Sequence, residues 1–242
     1  MRVRAVVAYD GTDYQGFQRQ ASAPTVQGTL EAALAQVTGE TIGLLPAGRT
    51  DTGVHAEGQV IAFDTEWRHP LATLQRALNA VLPPDVAVRD VAAADARFHP
   101  RYDARSRRYR YTIYRHPTRS PLVRRTSLHV AAALDLAAME AAARMLVGWH
   151  DFAAFGTPPK GDNTVREVMQ ATWHSDPPWL FFNIEANAFL YRMVRRIVGT
   201  LLQVGLGRMT VAEFQDVLAA RGRLQSGPAA PPHGLCLVEV KY

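Results

Sequence analysis

Apolar positions along the chain switch repeatedly between a two-residue repeat and a repeat of three to four residues. Residues 3–9 predict a strand that ends at the turn pair Asp10-Gly11. After Pro24 a helix is expected, with Thr25 as its N-cap, Val26, Leu30, Leu34 and Val37 on one face, and Gly39 just past its end. There follow a short strand near residues 41–45, a loop over 47–55, a strand over 59–65, a helix over 71–82 stopped by Pro83-Pro84, and a strand over 86–91. Residues 105–115 alternate as a strand, which puts Arg107, Tyr109, Tyr111 and Ile113 on one face and Arg108, Arg110 and Thr112 on the other. A helix over 135–147, strands over 165–173 and 179–185, helices over 188–204 and 211–219, and a strand over 235–240 complete the pattern. Strands with intervening helices in both halves predict an α+β architecture of two lobes sharing a sheet, residues 1–104 and 105–242, with no internal sequence repeat.

Composition narrows the class. A chain of 242 residues with 48% hydrophobic and 20% charged positions is neither disordered, collagenous nor coiled coil. No apolar run approaches the roughly 18 residues of a membrane span, and residues 5–8 are too short for a signal-peptide core, so the expectation is a soluble, cytoplasmic protein with no membrane association. The single cysteine, Cys236, leaves no internal disulfide and no clustered-thiolate metal site; it is expected to be a small buried hydrophobe of the last strand.

Charge changes the picture more. Between Arg97 and Arg125 stand ten arginines and one acid, Asp103, against a whole-chain net charge of +5, so the remainder of the chain is net negative. A positive stripe confined to one window is the electrostatic footprint of a polyanion partner, and arginine both forks onto phosphate and stacks on bases. Arg105, Arg107, Arg108, Arg110 and Arg119 are the candidates for contact with an RNA backbone.

The densest unusual string is AGRTDTGVHA, residues 47–56, set between two apolar strands. Gly48 and Gly53 allow backbone geometry or close approach that a side chain would block, so the loop can hold Asp51 up at a strand end. Arg49 is placed to pair with that carboxylate or to touch a phosphate. The alternative is a turn stapled by a local ion pair. The histidines are scattered, with no HExxH or paired-carboxylate spacing, and there is no Gly-x-Ser-x-Gly elbow, Walker loop or dinucleotide fingerprint. What remains is a lone carboxylate beside a polyanion-binding stripe. It leaves open a silent RNA-binding protein or RNA chaperone, or a hydrolase built on Asp51 and His55.

Four strings in order, YDGTDYQGFQRQ (9–20), AGRTDTGVHA (47–56), RSRRYRYTIY (105–114) and NAFLYRMVRRIVG (187–199), resemble the tRNA pseudouridine synthase A family; the closing PPHGLCLVEVKY resembles that family's last strand. The resemblance implies two ferredoxin-like lobes meeting at one mainly antiparallel sheet with helices packed on it, and an active-site cleft between the lobes. It implies isomerisation of uridine to pseudouridine at positions 38, 39 and 40 of the tRNA anticodon stem-loop, without metal or cofactor, by a homodimer whose tRNA contacts both subunits. It places the catalytic aspartate at Asp51, the tyrosine that stacks on the target base at Tyr109, and the arginine that pairs with the aspartate at Arg195. One departure stands out: the family's FHAR is FHPR here, with Pro100, which clouds the entry into the following strand.

Physical chemistry supports these choices. On a helix from residue 188, Leu190, Met193, Val194, Ile197 and Leu201 form the buried stripe, Arg192 and Arg196 fall opposite it, and Arg195 sits beside Leu202 at its edge. A half-buried guanidinium there calls for a partner, whereas Arg192 and Arg196 read as solvated charge. Tyr111 reads as core, and Tyr109 as a ring available to a base. Phe17, with Gln18 and Arg19 in the loop after the first strand, is equally a candidate to approach RNA or to be structural.

Overall fold

The computed structural model describes residues 1–222 and 224–242. The chain is α+β, with five α-helices among the described residues and strands paired mostly antiparallel. It forms two compact units, Met1–Arg105 with Cys236–Tyr242, and Ser106–Leu235.

In the first unit, β1 (Arg2–Tyr9), α1 (Val26–Thr38), β2 (Leu45–Pro46), β3 (His55–Asp64), α2 (Leu71–Val81) and β4 (Val86–Ala93) follow the strand–helix–strand–strand–helix–strand succession of a ferredoxin-like fold. β1 lies between β4 and β3, antiparallel to both, and β2 pairs with β3. Local signals set α1: the Thr25 hydroxyl accepts from Gly28 N–H, and Gly39 closes the helix at φ +75 with its N–H on Ala35 O. Val3, Ala5 and Val7 of β1 join Leu30 and Leu34 of α1 and Leu74 and Leu78 of α2 in the core. β3 starts at His55, four residues before the alternation predicts it. Its residues from Gly58 to Phe63 are all buried, so the strand lacks the one-sided pattern that marks a half-exposed strand.

The closing strand, β10 (Leu235–Lys241), pairs in parallel with β3, Cys236 opposite His55 and Leu237 opposite Ala56. Residues 236–242, which the sequence places with residues 105–235, therefore group with residues 1–105, because this ladder and the Arg105 N–H to Lys241 O bond tie them there. Cys236 lies in the strand as expected but is half-buried. Pro100 is buried in the turn ahead of this region, where its carbonyl accepts the Tyr242 hydroxyl at 2.9 Å.

In the second unit, β5 (Ser106–Arg115), β6 (Leu128–Val130), α3 (Leu136–Arg144), β7 (Gly148–Asp151), β8 (Val165–Asp176), β9 (Trp179–Ala186), α4 (Met193–Gly205) and α5 (Val211–Ala219) build a sheet with β9 between β5 and β8, β7 on β8 and β6 on β5. Tyr111 and Ile113 of β5, Leu180, Phe182 and Ile184 of β9, and Met139, Ile197, Leu201 and Phe214 of the helices form its core. The short β6 and β7 carry too few residues to show a repeat. α4 begins at Met193, not at residue 188. The preceding backbone is already engaged: Asn187 N–H donates to Glu167 O, Tyr191 N–H to Thr157 O, and Arg192 takes a left-handed φ of +62. Leu190 is buried, but from the segment ahead of the helix and not from the helix itself.

Candidate active site

The loop that carries Asp51 is anchored at both ends. Ala47 N–H donates to Val60 O at 2.8 Å, and the fully buried Gln59 donates its side-chain amide to Gly48 O at 2.9 Å. Beyond Asp51 the chain turns, with Val54 N–H on Asp51 O at 3.1 Å and Gly53 at a left-handed φ of +74. Gly48 has open space around it, so only Gly53 meets the backbone demand expected of the pair. Thr50 is buried, Asp51 half-buried and Thr52 exposed, so the loop sinks one neighbour of the carboxylate into the core and lifts the other to the surface. Arg49 is exposed and, among the described residues, forms no ion pair, so the local staple with Asp51 is not made.

His55 is buried at the start of β3. Its Nδ1 lies 3.1 Å from Gly11 N and 3.0 Å from Asp10 Oδ1, which ties the end of this loop to the end of β1. Among the described residues no group of three His, Cys, Asp or Glu side chains gathers as metal ligands would. Phe17 is fully buried and its N–H donates to Thr50 O at 3.1 Å; it is a core residue supporting the Asp51 loop, not one that approaches RNA, while Gln18 and Arg19 are exposed. Tyr14 joins the same support, its hydroxyl donating to Asp85 at 2.9 Å. Burial, then the bond and charge of Asp85, push the Tyr14 phenol up to about 12. Sequence reasoning missed Tyr9, Tyr14 and Gln59 as supports; a glutamine in an otherwise apolar strand was the one available signal.

In the second unit, Tyr109 lies on β5 opposite Ile184 of β9, half-buried, with the Phe189 ring edge-on at 5.1 Å and 87°. Tyr111, two residues on, is fully buried, as its core reading requires, and its hydroxyl donates to Pro231 O at 2.8 Å. Burial raises the Tyr111 phenol, against the pull of the Arg195 charge. Arg195 stands in the first turn of α4, half-buried, with its Nε–H on Ala230 O at 2.8 Å. Arg192 is exposed over the Tyr191 ring, at 4.9 Å. Arg196 departs from the solvated reading: it is half-buried, with Nη1 3.4 Å from Ser226 Oγ.

Of the stripe, Arg105 and Arg119 are exposed and Arg107, Arg108 and Arg110 half-buried. Arg107 Nη1 donates to Asn187 O at 2.9 Å, and Arg110 lies over the Phe181 ring at 5.7 Å with Nε near Asn183 Oδ1.

Comparison with known proteins adds to this geometry. Residues 5–103 and 142–242 match the family described as tRNA pseudouridine synthase. The chain belongs to that family. A protein named tRNA pseudouridine synthase A from Chloroflexus aurantiacus is 48% identical over 245 residues, covering 99% of this chain and 88% of its own. Proteins of the same name from Syntrophotalea carbinolica, at 47%, and Geobacter sulfurreducens, at 44%, each cover 99% of this chain and 96% and 99% of their own. As a member of this family, the chain has its α+β fold and a tRNA pseudouridine synthase function, and the RNA-chaperone alternative is not favoured. No helix among the described residues is long and apolar enough to cross a membrane.

Proposed function

We propose that the chain isomerises uridine to pseudouridine at positions 38, 39 and 40 of the tRNA anticodon stem-loop, with Asp51 as the catalytic carboxylate and Tyr109, Arg195 and Arg49 binding the substrate. The observation that carries this reading is the Asp51 loop: a half-exposed carboxylate on a backbone gripped from both sides, within residues 5–103, one of the two stretches that match the family.

The chemistry asks for little more. The bond from uracil N1 to ribose C1′ breaks, the ring turns, and C5 bonds to C1′ as its hydrogen leaves to solvent and N1 takes a proton, so composition is unchanged. Asp51 serves as nucleophile at C1′ or as base at the ribose, and either role needs its carboxylate form. A stacking ring such as Tyr109 holds a base while tolerating its rotation, worth about 1–3 kcal/mol. Extruding the nucleotide costs a few kcal/mol, which backbone contacts from Arg105, Arg107, Arg108, Arg110 and Arg119 offset.

The same reading includes a homodimer with tRNA contacting both subunits, working in the cytoplasm. Light scattering with and without tRNA tests the dimer. The reaction is tested by tritium release from tRNA labelled at uracil C5: release is expected from the native chain and abolished by Asp51→Asn, with tRNA affinity kept within about tenfold. Turnover by Asp51→Asn above a few per cent overturns the assignment.

A further inference from the structure

The backbone on either side of Asp51 is held by the segment between β1 and α1. Tyr9 ends β1, and its hydroxyl lies 2.8 Å from Thr50 Oγ1, both residues buried at 4% and 7% exposure. Thr50 O accepts Phe17 N–H, and Gly53 N–H donates to Tyr14 O. Gly16, at φ +86, approaches so closely that a Cβ there would stand 2.9 Å from Thr50 O and 3.3 Å from Thr52 N. The Tyr9 ring meets the buried Phe17 ring at 6.1 Å.

Two hydroxyls buried against each other are a poor choice for stability alone, since an apolar pair of the same shape is nearly neutral in their place. What the pair adds is direction. A contact between apolar groups tolerates sliding; a buried O–H···O bond fixes the Thr50 side chain, and through it the backbone entering Asp51. A carboxylate that must meet one ribose carbon needs that control, because a displacement of about 1 Å can cost about a hundredfold in rate.

We propose that Tyr9 and Thr50 are positioning residues of the reaction, their buried hydroxyl pair setting the pose of the Asp51 carboxylate. The inference rests on Asp51 being the catalytic carboxylate. Both residues are buried, so loss of either hydroxyl is expected to act on turnover and to leave binding unchanged.

The test is tritium release and tRNA affinity for Tyr9→Phe, Thr50→Val, the double variant, Thr50→Ser and Asp51→Asn, with melting temperatures for each. The double variant replaces the pair by apolar groups of similar shape and keeps the test open should a single variant unfold. Expected are kcat losses of about tenfold for each single variant at unchanged KM, a double variant no worse than either single because each single change already breaks the Tyr9–Thr50 bond, and Thr50→Ser near native kcat. Native kcat in Tyr9→Phe or the double variant, additive losses, or a Thr50→Ser as slow as Thr50→Val overturns the proposal. If Asp51→Asn is dead while Tyr9→Phe is native, only this inference falls; if Asp51→Asn turns over, the reading beneath it falls first.

Discussion

Arg195 and Ala230 hold each other twice: the Arg195 Nε–H donates to Ala230 O at 2.8 Å, and the Ala230 N–H donates to Arg195 O at 2.9 Å. A side chain gripped at Nε presents the rest of its guanidinium in one orientation, which a flexible ammonium does not reproduce. Arg195→Lys is therefore expected to lower kcat/KM by about 10- to 100-fold, the worth of a charge-assisted hydrogen bond of about 1.5–3 kcal/mol. Steady-state kinetics on tRNA checks it; a loss under threefold would mean that charge alone suffices.

Tyr109 offers a ring and a hydroxyl, and only the ring is asked to stack. Tyr109→Phe keeps the edge-on packing with Phe189, so tRNA affinity is expected to stay within about threefold. Tyr109→Ala should lose about 1–3 kcal/mol of binding. Equal losses in the two variants, measured by filter binding, would reject the stacking role.

An arginine stripe that meets tRNA phosphates would make affinity depend on salt. The logarithm of the tRNA association constant should fall steeply and linearly with the logarithm of salt concentration. Arg119, exposed at its position, should reduce that slope by about one when changed to alanine, if it meets a phosphate. A flat response of the native chain would remove the polyanion surface.

Tyr14 predicts an alkaline limit to stability. Its phenol is pushed up to about 12 in the folded chain, against the usual 10, so the folded state holds the proton more tightly than the unfolded one. The corresponding stability is fully present below pH 10 and is lost as pH rises toward 12. Tyr111, raised by its own burial, acts in the same direction. Urea unfolding between pH 9 and 12 should show this decline, and Tyr14→Phe should make it shallower; an unchanged slope would reject the account.

Elements set by their own residues were legible. α1 has its cap at Thr25 and its stop at Gly39, and α5 runs over the residues its pattern predicts, behind a Thr210–Glu213 capping box. The start of α4 was not legible, because the backbone ahead of it is held by bonds from Asn187 to Glu167 and from Tyr191 to Thr157, 20 and 34 positions away in the chain. For the same reason the sequence leaves Phe17 equally a surface or a core residue, where its contact with Thr50 decides for the core, and it reads Arg196 as solvated, where Ser226 stands beside it.

The order of residues alone determined the α+β class, the helices with strong caps, the positive stripe and the family, since each depends on neighbours along the chain or on short strings of chemistry. Tertiary structure decided the rest: the pairing of Cys236 with His55, the grip of Ala230 on Arg195, and the buried Tyr9–Thr50 bond beneath Asp51. These join residues tens of positions or more apart, and no local periodicity records which distant partner will satisfy a buried polar group.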